Sequence, residues 1–255
     1  MSWQEYFKYD SCRDWYCYKD SEVVTLPDNL PMPPTNDLDM LFYGCEQLQD
    51  ITVLANWDVS NVKRMSGMFF GCKRLRDITA LANWSVSKVN DMTDIFSGCK
   101  RLNDITALAN WDISNVKSMG NMFSMCHQLQ DITVLANWDV SNVKSMSGMF
   151  LGCDRLKDIT ALANWDVFNV KYICWMFSCC FQLQDITALS NWDVSNVKDM
   201  SYMFHNCDRL KDITALANWD ISKVENIGNM FGGWGKLQNI TTSSIWDVKK
   251  VKQTD

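Results

Sequence analysis

Tryptophan recurs every 27 residues along most of this chain, at Trp57, Trp84, Trp111, Trp138, Trp165, Trp192, Trp219 and Trp246. Seven cysteines keep the same step, from Cys45 and Cys72 to Cys207, and so do eight leucines, from Leu48 and Leu75 to Leu237. No insertion or deletion breaks the register over about 210 residues. A strict period of this length restricts the fold more than any other feature here. One such unit cannot bury its own apolar face, whereas stacked copies bury a continuous core, so the chain reads as a solenoid.

The unit that starts at Trp138 has two halves. In the first, Val143, Met146, Met149, Phe150 and Cys153 are spaced 3, 3, 1 and 3. That spacing predicts one apolar face of a short helix. Ser141 suits its N-cap and Gly152 its C-terminal end. The second half, Leu156 to Asn164, carries Ile and Thr and reads as a strand followed by a turn. The expected fold class is α/β: a leucine-rich-repeat-like solenoid of about eight 27-residue units, with one short helix and one short parallel strand per unit. Strands pack closer (~4.8 Å) than helices (8–10 Å), so the stack should curve with strands on the concave side.

The second half also fits the leucine-rich pattern L-x-x-L-x-L-x-x-N, with Leu75, Ile78, Ala80 and Asn83 in those slots. Asn56, Asn83, Asn110, Asn137, Asn164, Asn191 and Asn218 then form an expected asparagine ladder, bonded to the turn beside it. The whole unit resembles the repeats of the BspA-like leucine-rich-repeat surface proteins. The likeness lies in N-W-D-V-S-N-V-K-S-M-S-G-M-F-L-G-C-D-R-L at residues 137–156 and its counterpart at 110–129, and extends over about residues 35–255. The resemblance implies a surface protein that serves adhesion and binds host or neighbouring-cell proteins.

The ends differ from the middle. Residues 1–34 crowd Trp3, Tyr6, Phe7, Tyr9, Trp15, Tyr16 and Tyr18, followed by Pro27, Pro31, Pro33 and Pro34. Solenoid ends need covering, so residues 1–34 read as an N-terminal cap and residues 35–233 as the repeat solenoid. In residues 234–255 Trp234 replaces the periodic cysteine, Ser243 replaces a periodic leucine and lysines accumulate, which reads as a C-terminal cap and tail.

The formal net charge is −6, and no basic block is present. Phosphate binding needs clustered Lys and Arg, so nucleic acid is not an expected partner. The most apolar run, Tyr172 to Phe181, falls far short of a transmembrane segment. The first residues show no basic stretch leading into an apolar one, so no signal peptide is read. The resemblance points to a cell or particle surface, and the missing signal to an intracellular or virion-associated protein; the location stays open.

Equal phase puts the seven cysteines on one inward face, as small apolar filler. Metal binding would call for close pairs of C-x-x-C type, and a 27-residue step supplies one thiol per coil. Cys12 and Cys17 could bridge in an oxidising compartment, although an odd total of eleven favours reduced thiols. Cys179 and Cys180 read as one exposed and one buried neighbour. The Trp, Met and Phe rows are core by the same argument. An aspartate row, Asp50, Asp77, Asp104, Asp131, Asp158, Asp185 and Asp212, precedes an unbroken threonine row from Thr52 to Thr241. Stacked like charges repel, so Arg76, Lys157, Lys211 and turn amides are expected to offset them, with Ca²⁺ as the sharper alternative. Neither His127 nor His205 sits in a recognisable nucleophile motif, and no glycine-rich phosphate loop appears. Catalysis, a resident metal and a cofactor are therefore not expected.

One unit departs from the rest. Trp165 to Asn191 reads W-D-V-F-N-V-K-Y-I-C-W-M-F-S-C-C-F-Q-L in its first part. Phe168 stands where the N-cap serine recurs, Tyr172 and Trp175 stand at otherwise polar or glycine positions, and Phe181 replaces Lys, Asp, His or Glu. Phe168, Tyr172, Trp175 and Cys179 form a second helical stripe beside the core one, and the next coil adds Tyr202 and His205. Loss of the serine cap should cost about 1 kcal/mol. These seven residues are the expected partner-binding surface, for a protein partner or for self-association.

Overall fold

The computed structural model describes residues 2–11, 15–233 and 246 of the chain. Every 27 residues the backbone completes one coil, and successive coils stack in register. The periodic side chains line one continuous core: Phe42, Phe69, Phe96, Phe123, Phe150, Phe177 and Phe204 are fully buried, and so are the in-phase Met, Cys and Leu residues. Neighbouring phenylalanine rings from Phe42 to Phe231 lie 5.6 to 6.0 Å apart and nearly parallel.

The expected helix over 143–153 is not there, and no α-helix occurs among the described residues. Its place is taken by a flat ribbon of turns. The amides of Met146, Gly148, Phe150 and Gly152 donate across to Tyr172, Cys174, Met176 and Ser178 of the next coil, at 2.8 to 2.9 Å. The alternate amides of Met149, Leu151 and Cys153 donate back three residues, at 2.9 to 3.1 Å. An α-helix needs all these donors for its own i−4 carbonyls. Two left-handed residues per coil, here Gly148 (φ 63°) and Gly152 (φ 68°), also prevent helical continuation. Ser141 is accordingly no helix cap: its amide donates to Asp139 at 3.0 Å.

The expected strand over 156–164 is likewise replaced, by a short 3-10 turn at Thr160–Leu162 that recurs in each coil. Apart from a Thr25–Asp50 bridge at the N-terminal end, parallel pairing occurs in the other half of the unit instead. A one-residue bridge runs Asp37, Arg64, Asp91, Ser118, Ser145, Tyr172, Asp199 and Asn226. The expected eight-stranded sheet is thus one bridge wide, because the turns on either side leave no extended backbone to pair. Rings in the phenylalanine column are closer than Trp192–Trp219 and Trp219–Trp246, at 6.5 and 6.4 Å.

Polar bonds between coils explain two of the recurring residues. Each ladder tryptophan from Trp84 on donates its Nε1–H to a leucine carbonyl 30 residues earlier, as Trp165 does to Leu135 at 3.0 Å, and Trp57 donates to Leu30. Each ladder cysteine from Cys72 to Cys207 points its thiol at a phenylalanine carbonyl 30 residues earlier, at 3.1 to 3.3 Å. Burial pushes these thiols well above their ordinary range, so they stay protonated and donate. The asparagine ladder exists at a different phase. Asn115, Asn142, Asn169 and Asn196 donate to the carbonyls of Ser87, Ser114, Ser141 and Phe168 at 2.8 to 3.0 Å. Asn56, Asn83, Asn110 and their equivalents are exposed, because the leucine-rich pattern there forms an outward turn.

At the N-terminal end strands β1 (Phe7–Asp10) and β2 (Trp15–Tyr18) form an antiparallel hairpin. The Tyr18 amide donates to Leu41 at 2.7 Å, and the Phe7 and Tyr18 rings sit 6.3 and 5.7 Å from Phe42. The hairpin so covers the first ring of the column. Apart from the buried Trp246, residues 234–255 lie outside the described residues, as does Cys12. The expected C-terminal cap and the Cys12–Cys17 bridge fall there.

Candidate binding surface

The turn ribbon buries one set of side chains and presents the other outward. Its first left-handed position holds Met40, Gly67, Asp94, Asn121, Gly148, Trp175, Tyr202 and Asn229 in successive coils. Left-handed backbone suits glycine and strains a bulky residue by roughly 1–2 kcal/mol. Trp175 (φ 61°) and Tyr202 (φ 57°) accept this strain side by side. Their rings stack at 3.9 Å between centroids and 4° between planes, tighter than any pair in the core column. An aromatic pair of this kind contributes about 0.5–1.5 kcal/mol, which offsets part of the strain.

His205 closes the group. Its ring meets Trp175 edge-on at 6.3 Å and Tyr202 at 5.4 Å. Its Nδ1 is buried without a hydrogen-bond partner among the described residues, above Gly232. Asn229 donates to the Tyr202 hydroxyl at 3.2 Å, and the half-buried Cys179 accepts from Asn206 at 3.6 Å.

The remaining expected residues flank this stack without ring contact to it. Phe168 and Tyr172 are 46% and 47% exposed, and Trp175 and Phe181 are each 38% exposed; all four lie in one coil. Phe168 sits at a turn tip and keeps the backbone bonds of its serine equivalents. Its amide donates to Asp166 at 3.1 Å and its carbonyl accepts from Asn196 at 3.0 Å. The expected cost of a lost serine cap is therefore absent, since the aspartate two residues earlier supplies the amide's acceptor. Tyr172 is the bridge residue between Ser145 and Asp199. Phe181 interrupts a row that elsewhere carries polar contacts between coils, the Lys73–Glu46 ion pair at 2.5 Å and His127 Nδ1 to Asp154 at 3.0 Å. Cys180, by contrast with Cys179, is fully buried.

The aspartate row is satisfied locally. Each of Asp50, Asp77, Asp104, Asp131, Asp158, Asp185 and Asp212 accepts the amide of the threonine two residues on, at 2.7 to 2.9 Å. The threonine hydroxyl at Asp50, and the amide together with the hydroxyl at Asp104, Asp158 and Asp212, hold these carboxyls below the usual carboxylate range. Arg76 reaches Asn103 at 3.3 Å rather than an aspartate. A cleft of about 430 Å³ lies there, lined by Arg76, Asp77, Thr79, Asn103 and Asp104. No group of three or more metal-ligating side chains occurs among the described residues, and no helix is long and apolar enough to cross a membrane.

Sequence reasoning missed the left-handed positions and the column they create. The signal was present: glycine recurs at 67 and 148, and at 44, 71, 98 and 152, in two phases four residues apart. It also missed a second outward pair, the exposed Tyr43 stacked on the half-buried Phe70 at 5.1 Å.

No curated relative matches the chain. Among the solved structures that resemble it remotely is an internalin from Listeria monocytogenes, at 15% identity and a TM-score of 0.27, covering 83% of this chain and 75% of that one. Another is a leucine-rich cell surface protein from Faecalibacterium prausnitzii, at 16% identity and a TM-score of 0.32, covering 87% and 70%. Likenesses at these scores carry no argument about function. The family model described as Mycoplasma protein of unknown function, DUF285, matches residues 36–161 and 156–255, and with that coverage the chain belongs to the DUF285 family.

Proposed function

We propose that this chain is a non-enzymatic repeat scaffold that binds a protein through the outward face of the Trp165–Asn191 coil. The observation that supports this reading most is the concentration of exposed aromatics there on an otherwise regular stack. Phe168, Tyr172, Trp175 and Phe181 are four of the eight large hydrophobics exposed among the described residues. Trp and Tyr are favoured anchors at interfaces, and an uncovered apolar patch is a solubility hazard that a partner removes. Cys179, Tyr202 and His205 complete the surface. Adhesion or host interaction at a cell or particle surface is the setting the BspA-like resemblance suggests, and a self-associating structural component is the second reading. The rows of Asp and Thr are self-satisfied, which leaves no group poised for catalysis in this reading.

Affinity capture from candidate cell lysates tests it, with wild type compared to Tyr172→Ser plus Trp175→Ser after equal melting of both is confirmed. Loss of the captured protein in the double variant is the expected result. Equal recovery by both would overturn the assignment of the surface.

A further inference from the structure

The outward face of the turn ribbon is charged in a way that the overall composition hides. Lys117, Lys144, Lys171 and Lys198 stand in four consecutive coils. Their backbones are bonded directly to one another, Lys144 to Lys117 at 2.7 Å and the next two steps at 2.8 Å, so the row advances one ladder step, ~4.8 Å, per coil. Lys198 reaches Glu225 at 3.4 Å, while Lys117, Lys144 and Lys171 make no ion pair among the described residues. A straight row of like charges at this spacing is unfavourable on its own.

A second row runs beside it. Asp112, Asp139, Asp166 and Asp193 occupy the same four coils, five residues before each lysine, and all are exposed. A turn separates the rows, closed in each coil by a bond such as Val170 to Val167 at 2.9 Å. Its tip in the irregular coil is the exposed Phe168. The Oδ1 atoms of Asp112, Asp139, Asp166 and Asp193 accept the amide two residues on, at 3.0 to 3.1 Å, which fixes all four carboxylates in one orientation.

We propose that the partner seated on this face is a second copy of the chain, with the lysine row of each copy against the aspartate row of the other and Phe168 and Tyr172 at the seam. The proposal rests on the reading of the aromatic coil as a binding surface and names its occupant. Two rows of opposite sign with the same step are complementary in register only to a surface with that step, and a second copy has it by identity of sequence. A copy that carries both rows is self-complementary in sign, as an isologous contact requires. Pairing relieves the repulsion within both rows and covers the exposed rings.

Sedimentation velocity across a concentration series at low salt tests this with three proteins: wild type, Lys144→Glu/Lys171→Glu/Lys198→Glu, and Asp139→Asn/Asp166→Asn/Asp193→Asn. Asparagine keeps the Oδ1 acceptor, so the turns survive while the charge goes; equal melting confirms folding. Wild type is expected to associate with rising concentration, less so at high salt, and both triple variants to associate at least ~10-fold more weakly, the size of effect that about 1.4 kcal/mol produces. A monomeric wild type, or either variant associating as wild type does, overturns the proposal. Binding of a linear polyanion such as polyglutamate to a monomeric wild type also overturns it. A foreign protein captured equally by wild type and the lysine variant, but not by Tyr172→Ser plus Trp175→Ser, sinks the second copy while leaving the binding surface in place.

Discussion

The coils Trp138–Asn164 and Trp165–Asn191 share one backbone and differ mostly on the outward side. Inside, Val140, Val143, Met146, Met149, Phe150 and Cys153 of the first correspond to Val167, Val170, Ile173, Met176, Phe177 and Cys180 of the second, and every one is 2% exposed or less. Outside, Ser141, Ser145, Gly148 and Asp154 become Phe168, Tyr172, Trp175 and Phe181. The bonds between coils persist through the change, as the Trp175 amide to Ser201 at 2.9 Å and the Cys179 amide to His205 at 2.8 Å show. The fold therefore places separate demands on the two sides. The inner positions are fixed by stacking, and the outer ones are free to carry a surface the stack does not need.

That separation has measurable consequences. Phe177→Ala, inside the irregular coil, should lower stability by about 3–5 kcal/mol, the range for emptying a packed phenylalanine site. Phe168→Ser, outside the same coil, should stay within about 0.5 kcal/mol of wild type. Denaturant midpoints compare the two, and similar losses would break the distinction. Trp165→Phe should cost about 0.5–1.5 kcal/mol, because it removes the Nε1–H bond between coils while the Leu135 carbonyl keeps the Trp138 amide.

The left-handed position sharpens the comparison at smaller scale. At Gly148 an added Cβ would clash with the Asn121 Oδ1, on backbone with φ 63°. Gly148→Ala should thus cost about 1–2 kcal/mol. Trp175→Gly in the next coil should change stability by less than about 1 kcal/mol, since relief of backbone strain and loss of the Tyr202 stack oppose each other. Thermal melts of the two variants check the ordering.

The smallest effect is that of pH. Hydrogen bonds to threonine or serine lower the carboxyls of Asp50, Asp58, Asp104, Asp139, Asp158, Asp193, Asp212 and Asp220 in the folded state. A lowered folded pKa means stability that is present above the unfolded value, about 3.9, and lost as pH falls through the folded one. Burial raises Asp39 and Asp94, which opposes the trend. The eight outnumber the two, but they are almost fully exposed and each contributes little. Melting temperature should hold from pH 7 to about 4 and decline gently below. A rise below that range would contradict the assignment.

The inward set was legible because burial in a repeat imposes one phase, and Trp, Phe, Met, Cys and Leu declare that phase 27 residues at a time. The backbone was not, because Val143, Met146, Met149, Phe150 and Cys153 suit a ribbon of turns as well as a helix face. Periodicity reports which side chains point inward, not which carbonyl each amide finds. Here half of those amides in the ribbon find the next coil, a contact that no local window contains. The exposed aromatics at Phe168, Tyr172, Trp175 and Phe181 could be read from sequence as departures from the repeat. The Trp175–Tyr202–His205 contact could not, since it depends on two neighbouring coils sharing a left-handed position.

The most direct test restores the irregular coil to its neighbour's surface, with Phe168→Ser, Tyr172→Ser, Trp175→Gly and Phe181→Asp in one variant. Its stability and its association or partner binding are then measured together. The account predicts a melting curve as steep as wild type, at equal or higher temperature, with binding lost. A variant that melts much lower yet binds as before would show that these four residues serve the stack, and would contradict the division between inside and outside.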